Sequence, residues 1–317
     1  MASTTIADLD EDLRLRLSEV DQRLHDVLAG HAGATHLIDA GGKRIRPLLA
    51  ILGARFGPCQ DRVVDAAVLT ELVHVGTLHH DDVMDDAPTR HGVPTVNSLW
   101  GNNRAILLGD LMLARAAELG ADLGMAALRL QTSTLARLVR GQLMETVRPK
   151  SADPMAFCLE VMADKSASLI AMAAELGGRV AEADDATCVA LHTYGEHLGI
   201  AFQLVDDVLD IVGAESGKTP GTDLRAGVVT VPVLHALAAG DAAADRLRVI
   251  LVAGTVTDPE LHAEALALLR TGPGPELTRA DARHHAEKAR AALSTLVPNH
   301  ARDMLASLCD VVLDRAV

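Results

Sequence analysis

Residues 63–86 read VVDAAVLTELVHVGTLHHDDVMDD, and the fold turns on how that stretch is read. Apolar residues fall on more than one face of a helix drawn through 66–80, the pattern of a helix buried in a large core. A second stretch of the same character, 197–212, contains Gln203-Leu204-Val205-Asp206-Asp207-Val208-Leu209-Asp210. Each ends on D-D-x-x-D, formed by Asp81, Asp82 and Asp85 in the first and by Asp206, Asp207 and Asp210 in the second. Helix positions i and i+4 share a face, so Asp81 stands beside Asp85 and Asp206 beside Asp210. Like charges at that spacing repel, and on an apolar helix their desolvation costs far more unless a cation compensates. A lone acidic pentad is most simply a solvated helix end. Two copies, each following an apolar helix, point instead to a site for cations. Hard carboxylate oxygens without nearby cysteines suit Mg²⁺, which is held by a few carboxylates together with substrate phosphates.

The rest of the chain extends that helical reading. Apolar residues recur at three- and four-residue spacing in Leu13–Val27, Ile106–Leu119, Leu128–Leu143 and Met155–Leu176, while strand-like alternation is scarce. Breakers separate the helices at Gly41-Gly42, Gly57-Pro58, Pro88, Gly92-Val93-Pro94, Pro149, Gly177-Gly178, Gly217–Gly221 and Gly272–Pro275. No linker divides the chain, so the expectation is one large all-α domain over residues 1–317. Aromatic residues are only 2% of the 317. That argues against a β-sandwich and against a stacking platform for single-stranded nucleic acid. Cys59, Cys158, Cys188 and Cys309 are widely spaced and form no zinc or disulfide pattern. The acidic, amphipathic start is unlike a secretory signal, and no apolar run is long enough to span a membrane. A cytoplasmic protein is the expectation. A di-iron bundle fails because the Glu-x-x-His spacing of Glu71 and His74 occurs only once.

Cations are few among 29 basic and 43 acidic residues, for a net charge of −14, but several are suggestively placed. Lys43, Arg44 and Arg46 follow a glycine pair and flank a helix start marked by Pro47, where anions bind readily. Arg90 follows the first cluster, Lys165-Ser166 interrupts an apolar helix, and Lys218 lies in GKTPG. Any one of these has a bland reading, a surface run or a snorkelling lysine. His74 sits two turns before Asp81 on the same stripe; alone it reads as a core histidine, and facing the cluster as a phosphate donor.

Together GGKRIRP, HVGTLHHDDVMDDAPTRHGVPTVN, the Lys165 helix, FQLVDDVLD and GKTPGTDLRAGVVTVPVL resemble the trans-prenyl diphosphate synthases, in that family's order, from about residue 35 to 240. The resemblance implies a single helical bundle around a central cavity, usually a homodimer, that condenses isopentenyl diphosphate with an allylic diphosphate. It implies three Mg²⁺ ions held by Asp81, Asp85 and Asp206, with Asp82, Asp207 and Asp210 in support and Asp210 among the candidate ligands. Arg90, Lys165 and Lys218 match cations that grip the allylic diphosphate, with Ser166 and Gln203 beside it. Lys43, Arg46 and His74 match the site for isopentenyl diphosphate. In the chemistry so implied, the allylic C–O bond ionises, the alkene of isopentenyl diphosphate attacks the cation, and a proton leaves to the departing diphosphate. One position departs from the family: His91 stands where a second arginine is usual. Histidine is shorter, carries fewer donors and is mostly neutral at pH 7, which predicts weaker, pH-dependent affinity for isopentenyl diphosphate.

Product length is read from Gly76 and Thr77, one turn below Asp81, where the absence of a bulky aromatic leaves a shaft open. With no insertion between Asp82 and Asp85, both features look like medium- and long-chain members. Short-chain synthesis (farnesyl or geranylgeranyl diphosphate) is the alternative, followed by a terpene cyclase of the same fold or a non-catalytic partner subunit.

Overall fold

Helical periodicity carries through almost the whole chain. The computed structural model describes residues 11–147, 153–213, 220–252 and 254–315. Helices α1 (Glu11–Val27), α2 (His36–Asp39), α3 (Ile45–Ala54) and α4 (Val63–Met84) lead to a hairpin of β1 (Thr89–Arg90) and β2 (Val93–Pro94). Then come α5 (Val96–Trp100), α6 (Asn102–Leu123), α7 (Met125–Val147), α8 (Pro154–Met162), a π-helical turn (Ala163–Ala167) and α9 (Ser168–Val180). The remainder is α10 (Asp185–Val212), α11 (Thr222–Ala226), α12 (Val231–Ala238), α13 (Ala242–Leu251), α14 (Pro259–Thr271), α15 (Gly274–Leu293) and α16 (His300–Asp314). Starts are chemically marked: Asp153, Asp241 and Asp258 each accept a backbone N–H of the helix they precede, and Pro154 and Pro259 follow two of them. No helix among the described residues is long and apolar enough to cross a membrane.

The residues group into two compact units, each drawn from three separate stretches. The first combines 1–138, 168–195 and 292–305. At its centre α4 is buried on every side, with α1, α3, α6 and α9 against it. Glycines set how close these helices come. A Cβ on Gly177 would lie 1.9 Å from the Ala50 carbonyl oxygen, and one on Gly53 2.2 Å from that of Ala174. This corrects the expectation of a break at Gly177-Gly178, because both lie inside α9, where bare backbone lets it seat against α3. Tyr194, fully buried, donates its hydroxyl to the Leu305 carbonyl at 2.8 Å.

The second unit combines 139–167, 196–291 and 306–317. Its core joins Ile211 of α10, Leu224 of α11, Val233 of α12, Leu247 of α13 and Leu269 of α14. The stretch expected as one helix over Met155–Leu176 is interrupted by the π turn, which carries Lys165. Such turns insert one residue into the helical ladder and recur at functional sites.

Candidate functional site

In the first unit the acidic cluster closes α4. The Asp85 N–H still bonds the Asp81 carbonyl at 2.8 Å, so the helical turn persists and keeps Asp81 and Asp85 on one face. Asp81 is half-buried and Asp85 exposed, whereas Asp82 points inward and is 1% exposed. Its Oδ1 accepts from Arg90 Nε at 2.5 Å, while its Oδ2 is buried without a partner. Burial raises the Asp82 pKa above the ordinary carboxylate value, against the pull of Arg90. Arg90 reaches back because the chain reverses in a two-residue hairpin: Arg90 pairs with Val93, and His91 and Gly92 take φ of 50° and 80°. Two positive φ values mark a type I′ turn, which histidine tolerates better than most side chains.

The basic run before α3 divides by role. Arg44, at φ 46°, turns inward: its Nε donates to Asp21 and its Nη1 to Glu71, each at 2.9 Å, and its Nη2 to the Ile38 carbonyl at 3.0 Å. With Arg44 at 9% and Glu71 at 6% exposure, this is a buried structural pair. Lys43 stays exposed. Arg46 is held with its Nε buried and unpartnered, and burial lowers its pKa. His74, half-buried, has its pKa pushed well below the ordinary value, first by burial and then by Arg46, His91, Arg90 and Arg44. Arg46, Arg90 and His91 therefore lie near enough to His74 to bear on its charge, and the two arginines of this neighbourhood suit an anion.

Gly76 lies where α4 meets α6. A Cβ there would meet the Gly109 carbonyl oxygen at 3.1 Å and Met112 Cβ at 3.2 Å, so the missing side chain serves the approach of α4 to α6. Thr77 is half-buried and donates its hydroxyl to the His74 carbonyl at 2.9 Å.

In the second unit a cavity of about 420 Å³ lies between α8, the π turn, α10 and the 223–234 segment. Lys165, Ser166, Gln203 and Asp207 line its polar side, with Phe157, Val161, Met162, Val228, Val229 and Leu234 opposite. Ser166 Oγ donates to Gln203 Oε1 at 3.0 Å, and Gln203 Nε2 donates to Asp207 Oδ1 at 3.2 Å. Asp207 is 4% exposed with Oδ2 buried and unpartnered, and burial lifts its pKa well above the ordinary value. Asp206 is paired with Arg315 at 2.7 Å. Asp210 is engaged locally, accepting the backbone N–H groups of Thr222 and Asp223 at 3.1 and 3.2 Å and the Thr222 hydroxyl, which secures the start of α11. Lys218 lies outside the described residues.

Residues 31–269 match the family described as polyprenyl synthetase. The chain belongs to that family. A nonaprenyl diphosphate synthase of Mycobacterium tuberculosis is 41% identical over 315 residues, spanning 98% of this chain and 92% of that protein. The crystal structure of a decaprenyl diphosphate synthase from Rhodobacter capsulatus is 33% identical at a TM-score of 0.90, over 98% of this chain and 99% of that one. A polyprenyl synthase from Caulobacter crescentus, crystallised with calcium and isoprenyl diphosphate, is 32% identical at a TM-score of 0.91 and matches over 100% of both chains. This polyprenyl synthetase is accordingly a prenyltransferase of the isoprenoid synthase fold.

Each acidic cluster, taken by itself, offers carboxylate donors and one buried carboxylate oxygen without a partner, a donor set that fits a hard divalent cation. Among the described residues, no three His, Cys, Asp or Glu side chains converge closely enough to hold a metal by themselves. Several site residues carry no sequence signal. Glu145 of α7 lines the cavity and pairs with Lys165 Nζ. Asp164, 1% exposed, pairs with Arg140. Gly141 allows the π turn to approach α7, since a Cβ there would stand 2.7 Å from the Lys165 nitrogen. Cys158 forms part of the cavity wall; its thiol donates to the Val229 carbonyl, and burial pushes it up to about 11. The acid next to the half-buried Lys165 in sequence, Asp164, was the one visible hint.

Proposed function

We propose that this prenyltransferase condenses isopentenyl diphosphate with an allylic diphosphate to build a medium- or long-chain polyprenyl diphosphate. The observation that carries the reading is the grouping of Arg46, with its buried unpartnered Nε, and Arg90 about His74, in the same unit as the first acidic cluster. Lys43 extends it from the solvent side, and Arg46 offers an unused buried donor. His91 in place of arginine weakens the grip on isopentenyl diphosphate without removing it. Lys165, Ser166, Gln203 and Lys218 serve the allylic diphosphate. Asp81, Asp85, Asp206 and Asp210 would hold Mg²⁺, three ions per site, with Asp82 and Asp207 in support; the metal supplies charge neutralisation at the diphosphate leaving group. The lysine and arginine side chains share that task, and the apolar lining keeps water from the allylic cation.

The likeness to nonaprenyl and decaprenyl diphosphate synthases supports a medium or long product. Gly76 and Thr77 are the chain-length candidates in this reading. The two units act as one domain over 1–317, since the family match runs through segments of both. A homodimer is supported by exposed apolar side chains on α5 and α6, including Leu99, Trp100, Ile106 and Leu107. Four free thiols suit a reducing compartment such as the cytoplasm.

The test is incubation of the purified chain with Mg²⁺, radiolabelled isopentenyl diphosphate and allylic primers of increasing length. Labelled products several prenyl units longer than the primer support the proposal. Products that stop after one or two additions mean a short-chain enzyme. Cyclic hydrocarbon without label means a cyclase, and no turnover until a second protein is added means a partner subunit.

A further inference from the structure

The second acidic cluster already has a cation on it, and that cation is a side chain. Arg315, just beyond α16, places Nη2 2.7 Å from Asp206 Oδ1. Its guanidinium carbon lies 4.5 Å from the centre of the Phe202 ring. Phe202 and Asp206 are four residues apart on α10, so the ring and the carboxylate form one face that grips the guanidinium by stacking and by a charge-assisted bond. The pair is only partly withdrawn from water, at 28% and 35% side-chain exposure. The other guanidinium nitrogen, Nη1, is buried with no acceptor. A donor stranded in this way penalises the docked state and keeps it open to exchange.

We propose that Arg315 is the resident counter-cation of Asp206, exchanged for the metal when the second cluster loads. This rests on the reading of Asp206 as a metal ligand. The guanidinium on Asp206 Oδ1 offsets the charge that would draw a divalent ion there, and at that distance it repels one. Arg315 therefore sets the metal concentration at which this cluster fills. It is a positioning residue, because it acts through Asp206.

The experiment measures Mn²⁺ uptake by the full chain without substrate, from the paramagnetic resonance of free Mn²⁺. It compares wild type, Arg315→Gln, Arg315→Lys, Asp206→Asn and the Arg315→Gln/Asp206→Asn double variant, with melting in EDTA to show that each is folded. Arg315→Gln should bind Mn²⁺ roughly three- to tenfold more tightly. Arg315→Lys, which keeps the charge but loses the fork and the stack, should fall between. In the Asp206→Asn background, Arg315→Gln should have no effect. Uptake by Arg315→Gln where wild type takes none also supports the exchange; no uptake by either counts against it. If Asp206→Asn weakens binding while Arg315→Gln leaves it unchanged or weaker, the exchange is wrong and the metal assignment stands. If Asp206→Asn binds as wild type does, the metal assignment itself fails and the exchange goes with it.

Discussion

The two D-D-x-x-D clusters are alike in sequence and are used differently. In both, the middle aspartate turns into the protein and leaves one oxygen without a partner, Asp82 Oδ2 in the first and Asp207 Oδ2 in the second. Asp82 is answered by a full positive charge on Arg90, and burial raises its pKa only against that opposition. Asp207 is answered by the neutral amide of Gln203, and its pKa rises well above the ordinary value. The last aspartates diverge as well: Asp85 faces solvent at the end of α4, while Asp210 secures the start of α11. Identical motifs therefore do not imply identical electrostatics, because the segments packed around each helix end supply the counter-charge.

The comparison can be broken at its base by neutralising the outward aspartates. Asp81→Asn and Asp206→Asn should each lower incorporation of labelled isopentenyl diphosphate by about a thousandfold or more. If either keeps more than about a tenth of wild-type activity, that cluster does not serve the chemistry. The difference between the inward aspartates is sharpened by removing their partners. Arg90→Gln strands a buried carboxylate and should cost about 3 kcal/mol in urea unfolding. Gln203→Leu removes two hydrogen bonds, from Ser166 and to Asp207, and should cost about 2 kcal/mol; the reverse order would contradict the assignment of counter-charges.

A smaller contrast separates two helix contacts. A Cβ on Gly109 would meet His80 Nε2 at 2.5 Å and the Gly76 carbonyl oxygen at 2.9 Å, so Gly109→Ala should destabilise the first unit by about 1–2 kcal/mol. Gly141→Ala meets the Lys165 backbone instead, and should also raise KM for the allylic diphosphate about fivefold or more. The smallest effect is one of pH. Each unit keeps a histidine neutral, His74 in the first and His285 in the second. His285 is lowered to about 4 by burial, then by His197, Lys288 and His284, with Asp281 opposing. As pH falls, the unfolded chain takes the proton first, near pH 6.5. The stability that neutral His285 provides is thus complete above that pH and declines down to about 4. Between about pH 7.5 and 5.5 the loss is about 1 kcal/mol, read as a lower Tm, and His285→Asn should flatten that slope.

The helices were legible because their apolar spacing is local, and α4 and α6 lie where that spacing put them. Gly177-Gly178 read as a break because glycine is a poor helix former, yet the close approach of α3 outweighs propensity. The acidic and basic site residues were visible by type, and their division of labour was not. Lys43, Arg44 and Arg46 are equivalent in sequence, but a left-handed backbone at Arg44 turns it onto Asp21 and Glu71. Glu145 and Arg315 had no motif around them, because they reach Lys165 and Asp206 from other parts of the chain.

By itself, then, the amino-acid sequence determined the all-helical class, the two acidic helix ends and the stock of cations, all of which depend on spacing within a turn or two. The tertiary structure alone decided which aspartate is buried, which arginine is structural and which cation rests on Asp206. Those outcomes depend on charge and packing between residues far apart in the chain, where electrostatic energy follows distance in space and local periodicity carries no information.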